Sequence, residues 1–305
     1  MIKRAAFTLI ELVFVIVILG IMGLISFDVI FRVYENFTIQ RDVLFLQQQS
    51  SRILQQLDGY FSRAITVSMR VSDRNQDIFH ITRTQGDINT TAGRDLLWID
   101  RDIEVLRGVW DAQENENYPA FSGWVNVATS ENHDIIVFDS NLSQLNEIVT
   151  DTTRQALFRR GGNEFRSALY FSGSASNSGT TLDRFWAGSA SGSLFGIRGV
   201  SEVDNNFSLE KNPADIGEKG WVVSTSMGLQ LTDDGDLFLV DNFRSWNDTN
   251  NTIDDGDSHL LAKNVDSLTV YGSSAGNLIR MELCLQIDIN NPDETPFCKE
   301  GMVLR

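Results

Sequence analysis

The clearest chemistry lies in the first eleven residues. Lys3 and Arg4 precede a small pair, Ala5 and Ala6. Phe7 then opens an apolar run in which Glu11 is the one charged residue before Asp28. A secretory signal places its small residues after the apolar stretch, where cleavage detaches it. Here they come first, so a cut between Ala6 and Phe7 would leave the apolar segment on the mature chain with a new amine on Phe7. Glu11 lies four residues from that amine. A carboxyl at bilayer depth costs about 2.5–3.5 kcal/mol on insertion scales, and such residues usually have a partner and a function. The plainer alternative is a side chain near one end of a span that reaches the headgroups.

The contiguous pattern of basic leader, small residue and FTLIEL resembles the class III signal of type IV prepilins and pseudopilins. That resemblance implies processing at Ala6 and Phe7 by a prepilin peptidase, with methylation of Phe7. It also implies assembly with other pilin or pseudopilin subunits, in which Glu11 pairs with the Phe7 amine of a neighbour. In low dielectric such a pair is stronger than at a surface, and it relieves the cost of burying Glu11 only when the next subunit is docked in register. Residues 259–289 resemble, more loosely, J-type pseudopilins and PilW-like minor pilins. Many major pilins carry a proline just past the apolar run, where this chain has Asp28.

The fold class expected is α+β and type IV pilin-like: a long N-terminal helix, transmembrane in its first half, packed on a β-rich globular head. Residues 1–6 read as leader peptide, 7–67 as the helix with a membrane segment at 7–27, and 68–305 as the head. An inserted subdomain is expected within 70–258. The apolar run approaches the ~20 residues that cross a hydrocarbon core. Lys3 and Arg4 mark the cytoplasmic flank, which puts the head in the bacterial periplasm. Beyond the run, Phe37, Leu44, Ile53, Leu54, Leu57, Phe61, Ala64 and Ile65 recur at three- and four-residue steps, an amphipathic stripe. Gly59 is the weakest point of that helix. Short apolar strands are expected at 95–100, 134–139, 168–171, 221–225, 237–240, 268–271 and 278–289. The last alternates with period two through Ile279, Met281, Leu283, Leu285, Ile287 and Ile289. The Gly/Ser-rich stretches 172–181 and 188–193 read as flexible surface loops.

Cys284 and Cys298 are the only cysteines. In a periplasmic head an even pair favours a disulfide, against the alternative of two unrelated thiols. Two acidic loops offer hard oxygen ligands. One is residues 233–236; the other supplies Asp248, Asn250, Asp254, Asp255 and Asp257 around Gly256. The second lacks the EF-hand pattern with its closing glutamate, so calcium stands beside the plainer reading of a solvated acidic turn.

His80, His133 and His259 are widely separated, and neither Gly/Ser loop fits G-x-S-x-G, so no enzyme is expected and no other cofactor. With 41 Asp and Glu against 25 Lys and Arg, the formal charge is −16. Direct nucleic-acid binding is not expected of such a surface, because phosphate contacts need Lys and Arg. The function these features support is a structural subunit of a type IV pilus-like or type II secretion filament, specifically a minor pilin or minor pseudopilin. The alternative is an anchored adhesin or glycan-binding protein, which exposed aromatics around Trp110, Trp124, Trp186 and Trp246 would favour.

Overall fold

The computed structural model describes residues 9–73, 78–80, 85–89, 94–111, 116–145, 165–172, 184–201, 204–213, 216–248, 252–272, 278–287 and 295–304. The chain divides into two compact units, residues 1–49 and 50–305. A single helix, α1 (Leu9–Arg63), runs through the boundary without a break. Gly59 is helical like its neighbours and exposed.

In the part of the first unit before Asp28, apolar residues lie on every side of the helix. Leu12, Phe14, Ile16, Leu19, Ile21 and Met22 are all exposed, and the segment is long and apolar enough to cross a membrane. A side-chain pair between Asp28 and Arg32, 3.1 Å apart at i,i+4, marks the first charged turn after the run. Phe37 and Leu44, expected on the packed stripe, are exposed.

In the second unit the last turns of α1 become one-sided. Ile53, Leu54, Leu57 and Phe61 are buried, whereas Arg52, Gln55, Gln56 and Asp58 face solvent. The helix stops at Arg63, earlier than residue 67. A run of β-branched residues follows, which loses side-chain freedom in a helix, and the Ile65 amide donates instead to the Ile99 carbonyl at 2.8 Å.

The strands that follow are β1 (Arg70–Asp73), β2 (Ile78–His80), β3 (Gln85–Asn89) and β4 (Arg94–Asp100). After a short helix, α2 (Ile103–Arg107), come β5 (Val109–Asp111), β6 (Glu116–Tyr118), β7 (Asp134–Ile136), β8 (Ala168–Ser172), β9 (Leu194–Ser201), β10 (Asn206–Leu209) and β11 (Lys219–Val223). The chain ends with β12 (Thr225–Leu231), β13 (Leu237–Phe243), β14 (Asp257–Ala262), β15 (Val265–Gly272), β16 (Leu278–Leu285) and β17 (Phe297–Leu304). Their ladders are antiparallel. The larger sheets run β14-β13-β12-β4-β1-β2, β11-β8-β9-β10-β7 and β17-β16-β15-β3, and β5 pairs with β6.

Strand β4 is the hinge of the design. It is buried on both faces, which explains its nearly continuous apolar sequence. Trp98 meets Phe61 of α1 edge-to-face, with ring centroids 5.1 Å apart. Leu97 and Ile99, on the other face, join Phe185, Trp186, Val223, Val240, Phe243 and Trp246 in a second core. Strand β16 supplies Ile279, Met281, Leu283 and Leu285 to its buried face, as the alternation requires. It ends at Leu285; Ile287 is half-exposed in a bend, and Ile289 lies outside the described residues. In the same sheet Leu54 of α1 packs close over Gly301 of β17, and Lys299 Nζ donates to Ser51 Oγ at 2.5 Å.

Between β4 and β12, two strands that pair directly (Asp100 opposite Thr225), the chain builds a separate layer. Its five-stranded sheet closes on itself. The Val125 amide donates to the Glu218 carbonyl and the Gly220 amide to that of Gly123, both at 2.9 Å. On the other side the Asn126 amide donates to the Ile136 carbonyl (2.8 Å) and the Phe138 amide to that of Trp124 (3.1 Å). Residues 123–126 thus bridge β11 to β7 and leave a small barrel without an open edge there. Its interior holds Phe121, Phe171, Phe195, Phe207, Val125 and Ile197 among others.

Candidate functional site

Ala6 and Phe7 lie outside the described residues. Glu11 is helical and exposed, near the beginning of the described residues.

The two cysteines are joined. Cys284 on β16 and Cys298 on β17 stand opposite each other in register, with the sulfurs 2.07 Å apart. Cys298 thus belongs to a strand, β17. A structural disulfide suggests an extracytoplasmic location, and a single apolar N-terminal helix is consistent with a membrane anchor or a signal sequence.

The acidic loop turns inward on the protein's own groups. Asp255 Oδ2 accepts from the Thr252 amide (3.0 Å) and hydroxyl (2.7 Å), closing a capping box on a single 3-10 turn. Asp257 Oδ2 accepts from Asn242 Nδ2 at 2.9 Å. Gly256 crosses so close to β13 that an added Cβ would stand 2.5 Å from the Asp241 carbonyl oxygen; close approach to a strand, and no ligand-loop turn, is its local role. Asn250 lies outside the described residues. Among the described ones, Asp248, Asp254, Asp255 and Asp257 do not gather into a three-ligand group.

The tryptophans are mostly structural. Trp186 and Trp246 are buried; their Nε1 atoms donate to the carbonyls of Ser68 (3.0 Å) and Phe165 (2.8 Å). Trp124 alone of the four is seen exposed, with Lys219 Nζ 4.8 Å from its ring centroid; the side chain of Trp110 lies outside the described ones. Ser191 and Ser193, expected in a surface loop, are buried, and residues 173–183 lie outside the described set.

One cleft that sequence reasoning missed stands out in the head. It has a volume of about 480 Å³ and forms where α1 ends and several strands of the six-stranded sheet begin or end. Tyr60 and Arg63 come from α1, Asp100 to Glu104 from the β4–α2 corner, Ser224, Thr225 and Met227 from the entry to β12, Asp241 and Asn242 from β13, and Asp257 and His259 from β14. Arg63 pairs with Asp100 at 3.4 Å. Arg101 lies over the Trp221 ring, 4.8 Å from its centroid, and donates to the carbonyls of Arg63 (2.9 Å) and Ser62 (2.8 Å). His259 Nε2 is 3.6 Å from Asp241 Oδ1, so this histidine is not isolated. Asp102 is 8% exposed, and the Ser224 hydroxyl donates to its Oδ2 at 2.9 Å. Burial pushes the Asp102 carboxyl above the usual range, an effect that Ser224 and the nearby α2 amides partly offset. Burial likewise raises Asp241, against the opposing influence of His259. These residues come from five separated stretches, so no local spacing could have revealed them.

No family model, no curated protein and no solved structure matches the chain. The architecture itself, a long helix with an apolar beginning followed by antiparallel sheets that pack on its end, is consistent with a pilin-like protein. Such an architecture suggests a filament subunit.

Proposed function

We propose that this protein is a minor pilin or minor pseudopilin, a non-enzymatic subunit of a type IV pilus-like or type II secretion filament. The observation that carries the reading is α1: one unbroken helix whose start is apolar on all sides and whose end forms part of the head's core. A helix that only anchored a soluble domain would need neither continuity nor a carboxylate at Glu11. In this reading the chain enters the inner membrane with its head in the periplasm and is cleaved after Ala6. It then leaves the bilayer as Glu11 meets the Phe7 amine of a neighbouring subunit. The disulfide between Cys284 and Cys298 supports the oxidising side of the membrane. Two of the four tryptophans that would favour the glycan-binding alternative, Trp186 and Trp246, are buried.

The test is filament recovery. Wild-type protein is expected in the sheared or pelleted filament fraction. Glu11→Ala, which removes a costly carboxyl from the apolar run, is expected to insert and be cleaved normally yet stay in the membrane fraction. Equal recovery of the two in filaments would refute the pairing role, and absence of the wild type would refute the filament role.

A further inference from the structure

We propose that reduction of the Cys284–Cys298 bond creates a zinc site, in which the two thiolates and the Glu282 carboxylate clasp β17 to β16. Side chains alternate across a sheet. On β17, Lys299 and Gly301 face α1, through Ser51 and Leu54, so Cys298 and Glu300 lie on the opposite face. On β16, Met281 stands opposite Gly301 and shares its side, so Glu282 and Cys284 join Cys298 and Glu300 on the face turned away from α1. The ladder sets Cys284 against Cys298 and Glu282 against Glu300. Two sulfurs and two carboxylates thus form a block two strands wide. Glu300 is engaged by Arg280. In the other three residues the two Sγ atoms and a Glu282 carboxylate oxygen all lie within 4.8 Å of one another.

The spacing suits one ion. With Zn–S near 2.3 Å and Zn–O near 2.0–2.2 Å, ligand atoms on a tetrahedral zinc stand about 3.5–4 Å apart. Two thiolates and a carboxylate match a borderline-soft cation, whereas calcium and magnesium call for oxygen throughout. Three protein ligands leave the fourth position to water. Solvent reaches the group, because Cys298 is exposed and Glu282 half-buried. The reductant is a dithiol. Its thiolate attacks the exposed Cys298 sulfur and Cys284 leaves as a thiolate. The second thiol of the reductant then displaces Cys298, and the reductant departs as a disulfide. Zinc binding releases the proton that each cysteine holds as a thiol. The strands stay in place meanwhile, since eight residue pairs and the Lys299 and Gly301 contacts with α1 do not involve sulfur. β17 is an edge strand, so a metal clasp replaces the covalent bond at the margin of the sheet.

The test uses the full chain in detergent micelles, reduced without oxygen by a phosphine that is then removed. Cobalt(II) is titrated first, because a thiolate–cobalt charge-transfer band reports sulfur ligation, and zinc is then added to displace it. The reduced protein is expected to bind one metal per chain at micromolar concentration, and zinc to raise its melting temperature. The oxidised protein should show neither effect, and Cys298→Ser should lose the band. Glu282→Gln should weaken zinc at least about tenfold, since losing a ligand costs no less than losing an outer-shell partner. Near-UV circular dichroism checks the fold, with Glu282→Ala as the second variant. The proposal is overturned if the reduced wild type gives no saturable band, or if one metal binds per two chains. It is equally overturned if the oxidised protein binds as well, or if the folded Glu282 variants hold zinc as tightly as the wild type.

Discussion

Asp102 shows how one side chain ties stability to pH. Its folded-state pKa is raised above that of the unfolded chain, with burial as the first cause. The native state therefore holds the proton more readily, and stability falls as pH rises from the ordinary carboxylate range through the raised value. Asp102→Asn keeps an oxygen for the Ser224 hydroxyl and removes the buried charge. The variant should be at least as stable as the wild type at pH 7, with the difference shrinking below about pH 4, near the unfolded carboxylate pKa. Urea midpoints across that window measure it; a variant less stable at neutral pH than in acid, relative to wild type, would reverse the sign. The cysteines give a second residue-scale prediction. The loop that Cys284 and Cys298 close spans a sequence separation of 14. In the chain-entropy model such a loop contributes about 3 kcal/mol. Reduction should therefore lower the melting temperature of the head by roughly 6–12 °C, and an unchanged melt would show that the β16–β17 register holds without the bond.

At the scale of elements, the end of α1 is the keystone of the head. Phe61 is fully buried against Trp98, so Phe61→Ala should cost about 3–5 kcal/mol, the range for deleting a buried aromatic. Chemical denaturation followed by tryptophan fluorescence checks this; a cost below about 1 kcal/mol would mean the helix end is not integral to the core. Elements with local periodicity were legible in the sequence. The stripe through Ile53, Leu54, Leu57 and Phe61 and the alternation from Ile279 to Leu285 both appear where residue spacing put them. The barrel was not legible, because β7 and β10 are short strands whose pairing depends on partners far along the chain. Nor was the cleft. Asp102, Asp241 and His259 look like any scattered polar residues until β12 returns to pair with β4 across the whole barrel segment. Trp186 and Trp246 misled for a related reason: Gly/Ser- and Asp-rich neighbours suggested loops, yet each indole N–H finds a buried carbonyl.

For the whole molecule, the division between residues 49 and 50 separates two kinds of surface. One unit begins, before Asp28, with apolar side chains all round a helix, which water does not favour and which lipid or other apolar helices would cover. The other has its own cores and a disulfide. The pairing of an exposed apolar helix with a self-sufficient head is what the filament account explains, and that account makes a specific demand at the N-terminus. The most direct test is the mass of the N-terminal peptide of the protein recovered from cells. The account predicts a mature chain that begins at N-methylated Phe7, with Glu11 and the apolar run retained. A chain that still begins at Met1, or one cut after Ile25 so that the apolar run is lost, would contradict it.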